Sequence, residues 1–160
     1  MAYHNQYALD VRIARIFNTY GPRMREDGIY GRVVPRFLDQ GLSGKPLTIF
    51  GSGEQTRSFC YVTDQSEGLL KLAHSKNAIG KVVNIGNNNE INILDLAHKI
   101  KSLTNSNSDI MFQPLPQDDP TRRCPDISVA ILLLDWEPRT GLESGLINFM
   151  EWFSSRCSQK

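Results

Sequence analysis

Apolar segments with the two-residue period of a β-strand alternate along this chain with segments that have helical spacing. Residues 10–17, DVRIARIF, predict a strand with Val11 and Ile13 on its buried side. Residues 32–42 carry apolar side chains at helical intervals, and a glycine and a proline follow that stop a helix. Because strands and helices keep alternating in this way, the sequence predicts an α/β fold.

The same patterns predict the other elements. Residues 1–7 have the character of the end of a helix, and Thr63 and Asn92 are predicted helix caps. Leu69, Leu70 and Leu72 form the predicted apolar side of the helix after Thr63. Further strands are predicted at 47–50, 58–62, 81–85 and 109–112, helices at 63–74, 92–103, 127–134 and 142–157, and a loop at 114–125. Too few long strands are present for a complete doubly wound sheet.

Composition excludes several classes of function. With 18 basic and 17 acidic residues the formal net charge is +1, which predicts no nucleic-acid partner. The sequence has no apolar run of about 18 residues, so we expect no contact with a membrane. The three cysteines include no C-x-x-C pair, which favours a reducing compartment over a disulfide framework. The acidic residues lack the spacing of metal ligands, so no metal site is predicted.

Two segments in the first half carry polar residues suited to a ligand. Residues 15–23, RIFNTYGPR, follow the first strand, and ligands of open α/β sheets bind at the carboxyl ends of strands. Residues 51–57, GSGEQTR, combine a glycine-rich turn, whose backbone N–H groups can approach an anion, with an arginine that suits a diphosphate. Each segment alone also fits a plain alternative, a strand followed by a Gly-Pro turn or an exposed hairpin.

A third segment, residues 118–126, has the sequence DDPTRRCPD. Two arginines between acidic residues suit a carboxylate or a phosphate, and the acidic residues could orient the arginines. The alternative is an exposed loop held by surface ion pairs, each of which contributes only about 0–1 kcal/mol.

Taken in order, these segments resemble a known family. The motifs R-I-F-N-T-Y-G-P-R-M, P-L-T-I-F-G-S-G-E-Q-T-R-S-F-C-Y-V-T-D, V-V-N-I-G-N and D-D-P-x-x-R-x-P-D-I are similar to the UDP-glucuronate decarboxylases of the extended short-chain dehydrogenase/reductase superfamily. The dTDP-glucose 4,6-dehydratases share F-N-x-Y-G-P but typically lack the run at 118–126. A dehydratase-like or epimerase fragment is therefore the weaker alternative.

The resemblance implies a fold and a set of contacts. The fold is the C-terminal substrate-binding portion of an extended short-chain dehydrogenase, an incomplete Rossmann-type sheet plus a small α/β substrate domain. Residues 1–160 would form a single sugar-nucleotide-binding portion. The implied UDP-sugar contacts are Tyr3, Gln6, Asn18, Phe50 at the base, Arg57 at the diphosphate and Arg123 at the sugar carboxylate. The implied cofactor-side contacts are Thr19 and Arg32.

The family oxidises the sugar at C4 with NAD, loses the carboxylate as carbon dioxide and then reduces the ketone. Its catalytic Tyr-x-x-x-Lys motif and its glycine-rich NAD turn do not occur in this sequence. We therefore expect the N-terminal NAD-binding domain to be absent, no catalytic residue, and weak or no NAD binding by this chain alone. The chain is expected to bind the UDP-sugar without catalysing the reaction. A non-catalytic binding or scaffold paralogue is the alternative.

Two further expectations concern a protein partner, which would cover the apolar edge of the strand at 10–17, and the compartment. A homo-oligomer or a complementing N-terminal segment would serve as a protein partner. The compartment would be the cytoplasm, or the Golgi if an upstream membrane anchor exists.

Overall fold

The computed structural model describes residues 2–24, 32–117 and 119–157. The helices within these ranges are α1 (Ala2–Tyr7), α2 (Val33–Leu42), α3 (Val62–His74), α4 (Ile93–Leu103), α5 (Ser128–Leu134) and α6 (Leu142–Cys157), with a 3-10 helix at Lys76–Ala78. The strands are β1 (Ile13–Ile16), β2 (Thr19–Tyr20), β3 (Leu47–Phe50), β4 (Thr56–Ser58), β5 (Cys60–Tyr61), β6 (Val82–Ile85), β7 (Glu90–Asn92), β8 (Ile110–Gln113) and β9 (Arg122–Arg123).

The strands form short parallel pairs. β1 pairs with β6, β3 with β8, and β4 with β9, and all three ladders are parallel. A third strand, β7, lies on the other side of β4. Parallel neighbours need a crossover connection, and helices supply these connections here. The predicted α/β class is therefore confirmed.

The chain divides into two compact units, each assembled from three separate segments. Unit 1 comprises Met1–Thr19, Ser58–Asn89 and Cys124–Thr140, and unit 2 comprises Tyr20–Arg57, Glu90–Arg123 and Gly141–Lys160. The division into units does not test whether residues 1–160 bind a sugar nucleotide as one functional portion, and that expectation stays a prediction.

Unit 1 is organised around β6 and the indole of Trp136. Val83, Ile85 and Trp136 are buried in one apolar cluster. The Trp136 ring nitrogen donates a hydrogen bond to the Asp64 carbonyl at 3.1 Å, and the buried Asp64 carboxylate accepts one from the Thr140 backbone at 2.8 Å. These bonds satisfy polar groups that burial would otherwise penalise.

Two sequence predictions for α3 are wrong. Leu70 is 62% exposed, because the buried face of α3 follows the helical repeat through Asp64, Gly68 and Leu72 instead. Gly68 also lies on this face. The Trp136 ring packs so closely there that a Cβ added at Gly68 would come within 2.8 Å of it. Thr63 is not the cap, because α3 begins at Val62, which puts Tyr61 at the N-cap position, without a side-chain capping hydrogen bond.

The first strand is less buried than its pattern predicted. Val11 and Ile13 are only partly buried, and Ile16 is 57% exposed. β1 has β6 as its partner on one edge. The alternation correctly indicated a strand, but burial of each face depends on what packs against it.

In unit 2, α2 packs against α4 and β3. Asn92 caps α4 as predicted, because its side-chain oxygen accepts a hydrogen bond from the Asp95 backbone at 2.6 Å. The predicted loop at 114–125 is partly wrong, since Arg122–Arg123 forms β9 along β4. Two residues are too few to carry a strand pattern, so only the pairing with β4 defines β9.

Candidate anion site in unit 2

The parallel ladder between β4 and β9 sorts four polar side chains onto two faces. Thr56 is in register with Arg122, and Arg57 with Arg123. Because successive side chains of a strand point to opposite faces, Arg57 and Arg123 share one face, and Thr56 and Arg122 share the other. Two arginines adjacent in sequence therefore have different surroundings.

The face with Thr56 and Arg122 is closed by Glu90 of β7. Its carboxylate accepts a hydrogen bond from the Thr56 hydroxyl at 2.7 Å and is held by Arg122 at 2.6 Å in a bidentate contact. The hydrogen bond from Arg122, and to a smaller extent that from Thr56, lowers the pKa of Glu90 from 4.5 to about 2. The charge of Arg122 is thus already neutralised, which leaves little for a ligand.

The other face carries a net positive charge. Arg57 is 9% exposed, donates to the Asp119 carboxylate at 2.8 Å and donates to the Thr56 carbonyl at 2.8 Å. Arg123 is exposed and has no ion pair or side-chain hydrogen bond within the described part of the chain. Of the two guanidinium groups on this face, Asp119 thus compensates that of Arg57, and an anionic ligand would compensate that of Arg123. We call Arg57, Arg123 and Asp119 the anion site.

Phe50 ends β3 and leads into the glycine-rich turn before β4. Its ring is half-buried, and its carbonyl accepts a hydrogen bond from the Gln55 side chain at 2.7 Å. The predicted turn is present, with Gly51 and Gly53 at positive φ values of 68° and 81°. At Gly53 an added Cβ would lie 3.1 Å from both Ile49 and Leu94, so the turn packs closely on its unit.

Asn18 and Thr19, two of the predicted ligand contacts in unit 1, lie in a polar cluster after β1. The Asn18 amide donates to the Ser58 carbonyl at 3.0 Å, and the Asn18 carbonyl accepts from the Cys60 backbone at 3.0 Å. The Thr19 hydroxyl is 3.1 Å from the Gln65 side-chain oxygen and 3.3 Å from the Phe17 carbonyl. Both side chains therefore already form hydrogen bonds that stabilise the fold.

The remaining predicted residues lie on exposed elements. Tyr3 is 68% exposed and stacks on Tyr7 of α1 with ring centroids 5.8 Å apart, while Gln6 is also exposed. Arg32 is exposed and precedes α2 in an extended conformation. The structure thus brings together Arg57 and Arg123 in one register. It places Tyr3, Gln6, Asn18 and Thr19 in unit 1 and Phe50 and Arg32 in unit 2.

Sequence reasoning missed three residues that shape unit 2. Glu90 neutralises Arg122, Asp119 pairs with Arg57, and the Arg36 guanidinium lies over the Phe50 ring at 4.9 Å. The acidic residues beside the arginines gave a signal for Asp119, and Asp118 lies outside the described residues. Glu90 had no such signal, because its partner Arg122 is 32 positions away in sequence. Arg36 had none because it lies within the helical pattern of α2, whose apolar spacing gives no information about its contact with Phe50.

The fit of these residues to NAD is partial. The Thr19 hydroxyl oxygen can accept a hydrogen bond, and the exposed Arg32 suits a phosphate charge. In the same cluster as Thr19, the Ser58 hydroxyl and the Gln65 amide nitrogen are buried and have no hydrogen-bond partner among the described residues. These groups could complete polar contacts of a dinucleotide, but the glycine-rich turn that cradles its phosphates has no counterpart in this sequence.

Other types of site find no support among residues 2–24, 32–117 and 119–157. No group of three or more His, Cys, Asp or Glu side chains there could hold a metal ion. Cys60 and Cys124 are both free thiols, and burial, with the nearby Asp64 charge, raises the pKa of Cys60 to about 12. None of the helices in these ranges combines the length and the apolar character needed to cross a bilayer.

Comparison with known proteins points to one family. The model of the NAD dependent epimerase/dehydratase family matches residues 1–86. Over 153 residues the chain is 51% identical to UDP-glucuronic acid decarboxylase 1 of Danio rerio. The matched region covers 96% of this chain but only 36% of that protein. The chain therefore spans about a third of that relative's length.

Solved structures agree with this assignment. An epimerase from Methanothermobacter thermautotrophicus superposes with a TM-score of 0.93 at 31% identity, covering 99% of this chain and 47% of the epimerase. A UDP-glucuronic acid 4-epimerase from Bacillus cereus, in complex with UDP-glucuronic acid and NAD, superposes with a TM-score of 0.88 at 33% identity, covering 97% of this chain and 48% of the epimerase. The resemblance noted in the sequence is confirmed, and this chain belongs to the NAD dependent epimerase/dehydratase family.

Proposed function

We propose that this chain is the sugar-nucleotide-binding part of a UDP-glucuronate decarboxylase and that its anion site binds the charged groups of UDP-glucuronate. The observation that carries the proposal is the register that puts Arg57 and Arg123 on one face of the β4–β9 ladder, where Arg57 alone has a carboxylate partner, Asp119, among the described residues. UDP-glucuronate carries both a diphosphate and a sugar carboxylate, so it offers anions to both guanidinium groups.

The two arginines would bind different anionic groups of the ligand. Arg57 is buried and fixed by Asp119, which suits a diphosphate held in one geometry. Arg123 is exposed and has no partner within the described residues, which suits the carboxylate of the sugar. Phe50 ends the adjoining turn with a half-buried ring that a nucleotide base could stack on. Tyr3, Gln6 and Asn18 remain proposed sugar-nucleotide contacts of unit 1.

Sequence identity supports a decarboxylase over an epimerase. The chain is 51% identical to a protein named as a UDP-glucuronic acid decarboxylase and 33% identical to the UDP-glucuronic acid 4-epimerase bound to the same sugar nucleotide. Both chemistries use the same class of ligand, so binding of UDP-glucuronate follows from either. Decarboxylation needs a group that removes the proton from the C4 hydroxyl, and the Tyr-x-x-x-Lys that does this in the family does not occur in this sequence.

Calorimetric titration of the 160-residue chain with UDP-glucuronate and UDP-glucose tests the proposal. Arg123→Gln should weaken UDP-glucuronate binding roughly ten- to a hundredfold, because a charge-assisted hydrogen bond contributes about 1.5–3 kcal/mol. It should leave UDP-glucose, which lacks the carboxylate, nearly unchanged. Arg57→Gln should weaken both ligands, since both carry the diphosphate.

Arg122→Gln is the matched control, because Arg122 is the same residue type one position away and is neutralised by Glu90. It should change neither affinity by more than about twofold, in line with the small contribution of exposed ion pairs. Equal losses from the Arg122 and Arg123 changes, or no binding by the unchanged chain, would contradict the proposal. Titration with NAD in parallel measures whether Thr19 and Arg32 suffice for cofactor binding, which we expect to be weak or absent.

A further inference from the structure

Arg36 of α2 is a partly buried cation that the anion site does not use. Its guanidinium carbon lies 4.9 Å from the centre of the Phe50 ring and 5.6 Å from that of Phe37. One terminal nitrogen donates a hydrogen bond to the Thr48 carbonyl at 3.1 Å. Arg36 thus contacts both ends of the segment Thr48–Phe50, which leads into the glycine-rich turn.

The charge of Arg36 is poorly compensated. It forms no ion pair within the described part of the chain, and its buried Nε atom has no hydrogen-bond partner. Burial lowers the pKa of the Arg36 guanidinium below its usual value. Removing a cation from water without a counterion opposes folding, so a gain in stability does not explain an arginine at this position.

Attachment of α2 to β3 does not explain Arg36 either. Gln40, one helical turn further on, already makes two hydrogen bonds to Thr48. Its amide nitrogen donates to the Thr48 hydroxyl at 2.9 Å, and its oxygen accepts from the Thr48 backbone at 3.1 Å. The feature that Arg36 alone provides is a cation against the Phe50 ring.

We propose that Arg36 is a positioning residue that fixes the orientation of the Phe50 ring, so that the exposed part of the ring stacks a pyrimidine base. A cation over an aromatic ring is attracted to its π-electrons and restrains its orientation. A ring already held in one orientation loses less conformational freedom when a base stacks on it. This inference rests on the proposed function and names the residue that controls its base contact.

The test compares a ligand that has the base with one that lacks it. Titration of the full 160-residue chain with UDP and with inorganic pyrophosphate would use Arg36→Met, Arg36→Lys, Phe50→Leu and the double change. Arg36→Met should weaken UDP roughly three- to tenfold, the range of a cation–π contact, and leave pyrophosphate unchanged. Arg36→Lys should recover part of the loss, because an ammonium can lie over the same ring. In the Phe50→Leu background, Arg36→Met should cause no further loss.

Lys99→Met is the matched control for charge, because Lys99 is an exposed cation on α4 of the same unit. It should leave both affinities unchanged, and the thermal midpoint of each variant reports its folding. Equal losses for UDP and pyrophosphate would overturn the inference, since Arg36 would then act on the anion. An unchanged UDP affinity, or a further loss in the Phe50→Leu background, would overturn it as well. Failure of the unchanged chain to bind UDP would instead remove the proposed function on which the inference rests.

Discussion

At the scale of single residues, neighbours in sequence differ in what they can do because their side chains meet different surroundings. Arg122 is held by Glu90, whereas Arg123, the next residue, has no charged partner within the described residues. The alternation of side chains along β9 separates them, and the register with β4 places Arg123 beside Arg57. The proposed ligand-binding role therefore belongs to Arg123, while Arg122 has a structural contact with Glu90.

Gly53 gives a prediction at this scale. Gly44 and Gly53 both have positive φ, 66° and 81°, but a Cβ at Gly44 would have no heavy atom within 4 Å, whereas at Gly53 it would crowd Ile49 and Leu94. Gly44→Ala should lower the free energy of unfolding by about 1–2 kcal/mol, the backbone cost of a left-handed conformation. Gly53→Ala should lower it by about 1–3 kcal/mol more, because the neighbours must also move.

Urea denaturation of both glycine variants measures this difference. The shared positive φ makes Gly44→Ala the control for backbone strain. Equal destabilisation by the two changes would mean that the turn has room to relax and that close packing does not hold it.

At the scale of elements, local sequence signals and tertiary contacts share control. α4 begins where its sequence predicts, since Asn92 accepts a hydrogen bond from the Asp95 backbone and donates one to the Asp95 carboxylate at 2.7 Å. β9 has no such signal, and exists because it pairs with β4. Elements with their own end signals are predictable from sequence, and elements that depend on a partner strand are not.

The cap of α4 gives a prediction for an element. Asn92→Ala should reduce the free energy of unfolding by about 1 kcal/mol, because the first turn of the helix loses its side-chain acceptor. Asn77→Ala serves as the control, since Asn77 is exposed and its side chain makes no hydrogen bond within the described residues. Thermal denaturation followed by circular dichroism measures both changes. A loss at Asn77 as large as that at Asn92 would argue against a capping role.

At the scale of the whole molecule, each unit is built from three segments that are distant in sequence. Trp136 bonds to the Asp64 carbonyl across 72 positions, and Arg57 pairs with Asp119 across 62. Apolar side chains also remain on the surface of unit 1, among them Ile16 at 57% exposure and Leu132 at 81%. Ile16 lies on β1, whose ladder with β6 occupies one edge.

An exposed apolar strand edge promotes association of chains, which gives a prediction for the whole molecule. The chain should self-associate as its concentration rises, and Ile16→Lys should reduce this association because a charge disfavours pairing at an edge. Leu132→Lys is the control, since it adds the same charge to a more exposed apolar site on a helix. Light scattering over a concentration series measures the effect. A chain that stays monomeric, or equal effects of the two changes, would show that the edge of β1 does not drive association.

The sequence by itself determined the α/β class, the bounds of β3, α4 and α6, the glycine-rich turn after Phe50 and the family, because each depends on local periodicity or on a contiguous motif. It could indicate Arg57 and Arg123 as anion-binding candidates for the same reason. Only the tertiary structure decided that they share a face, that Glu90 neutralises Arg122 and that Arg36 contacts Phe50. It also decided that Leu70 of α3 is exposed. The physical reason is that charge compensation and burial depend on segments that only folding brings together. Those partners are distant in sequence, so the residues around each position do not predict them.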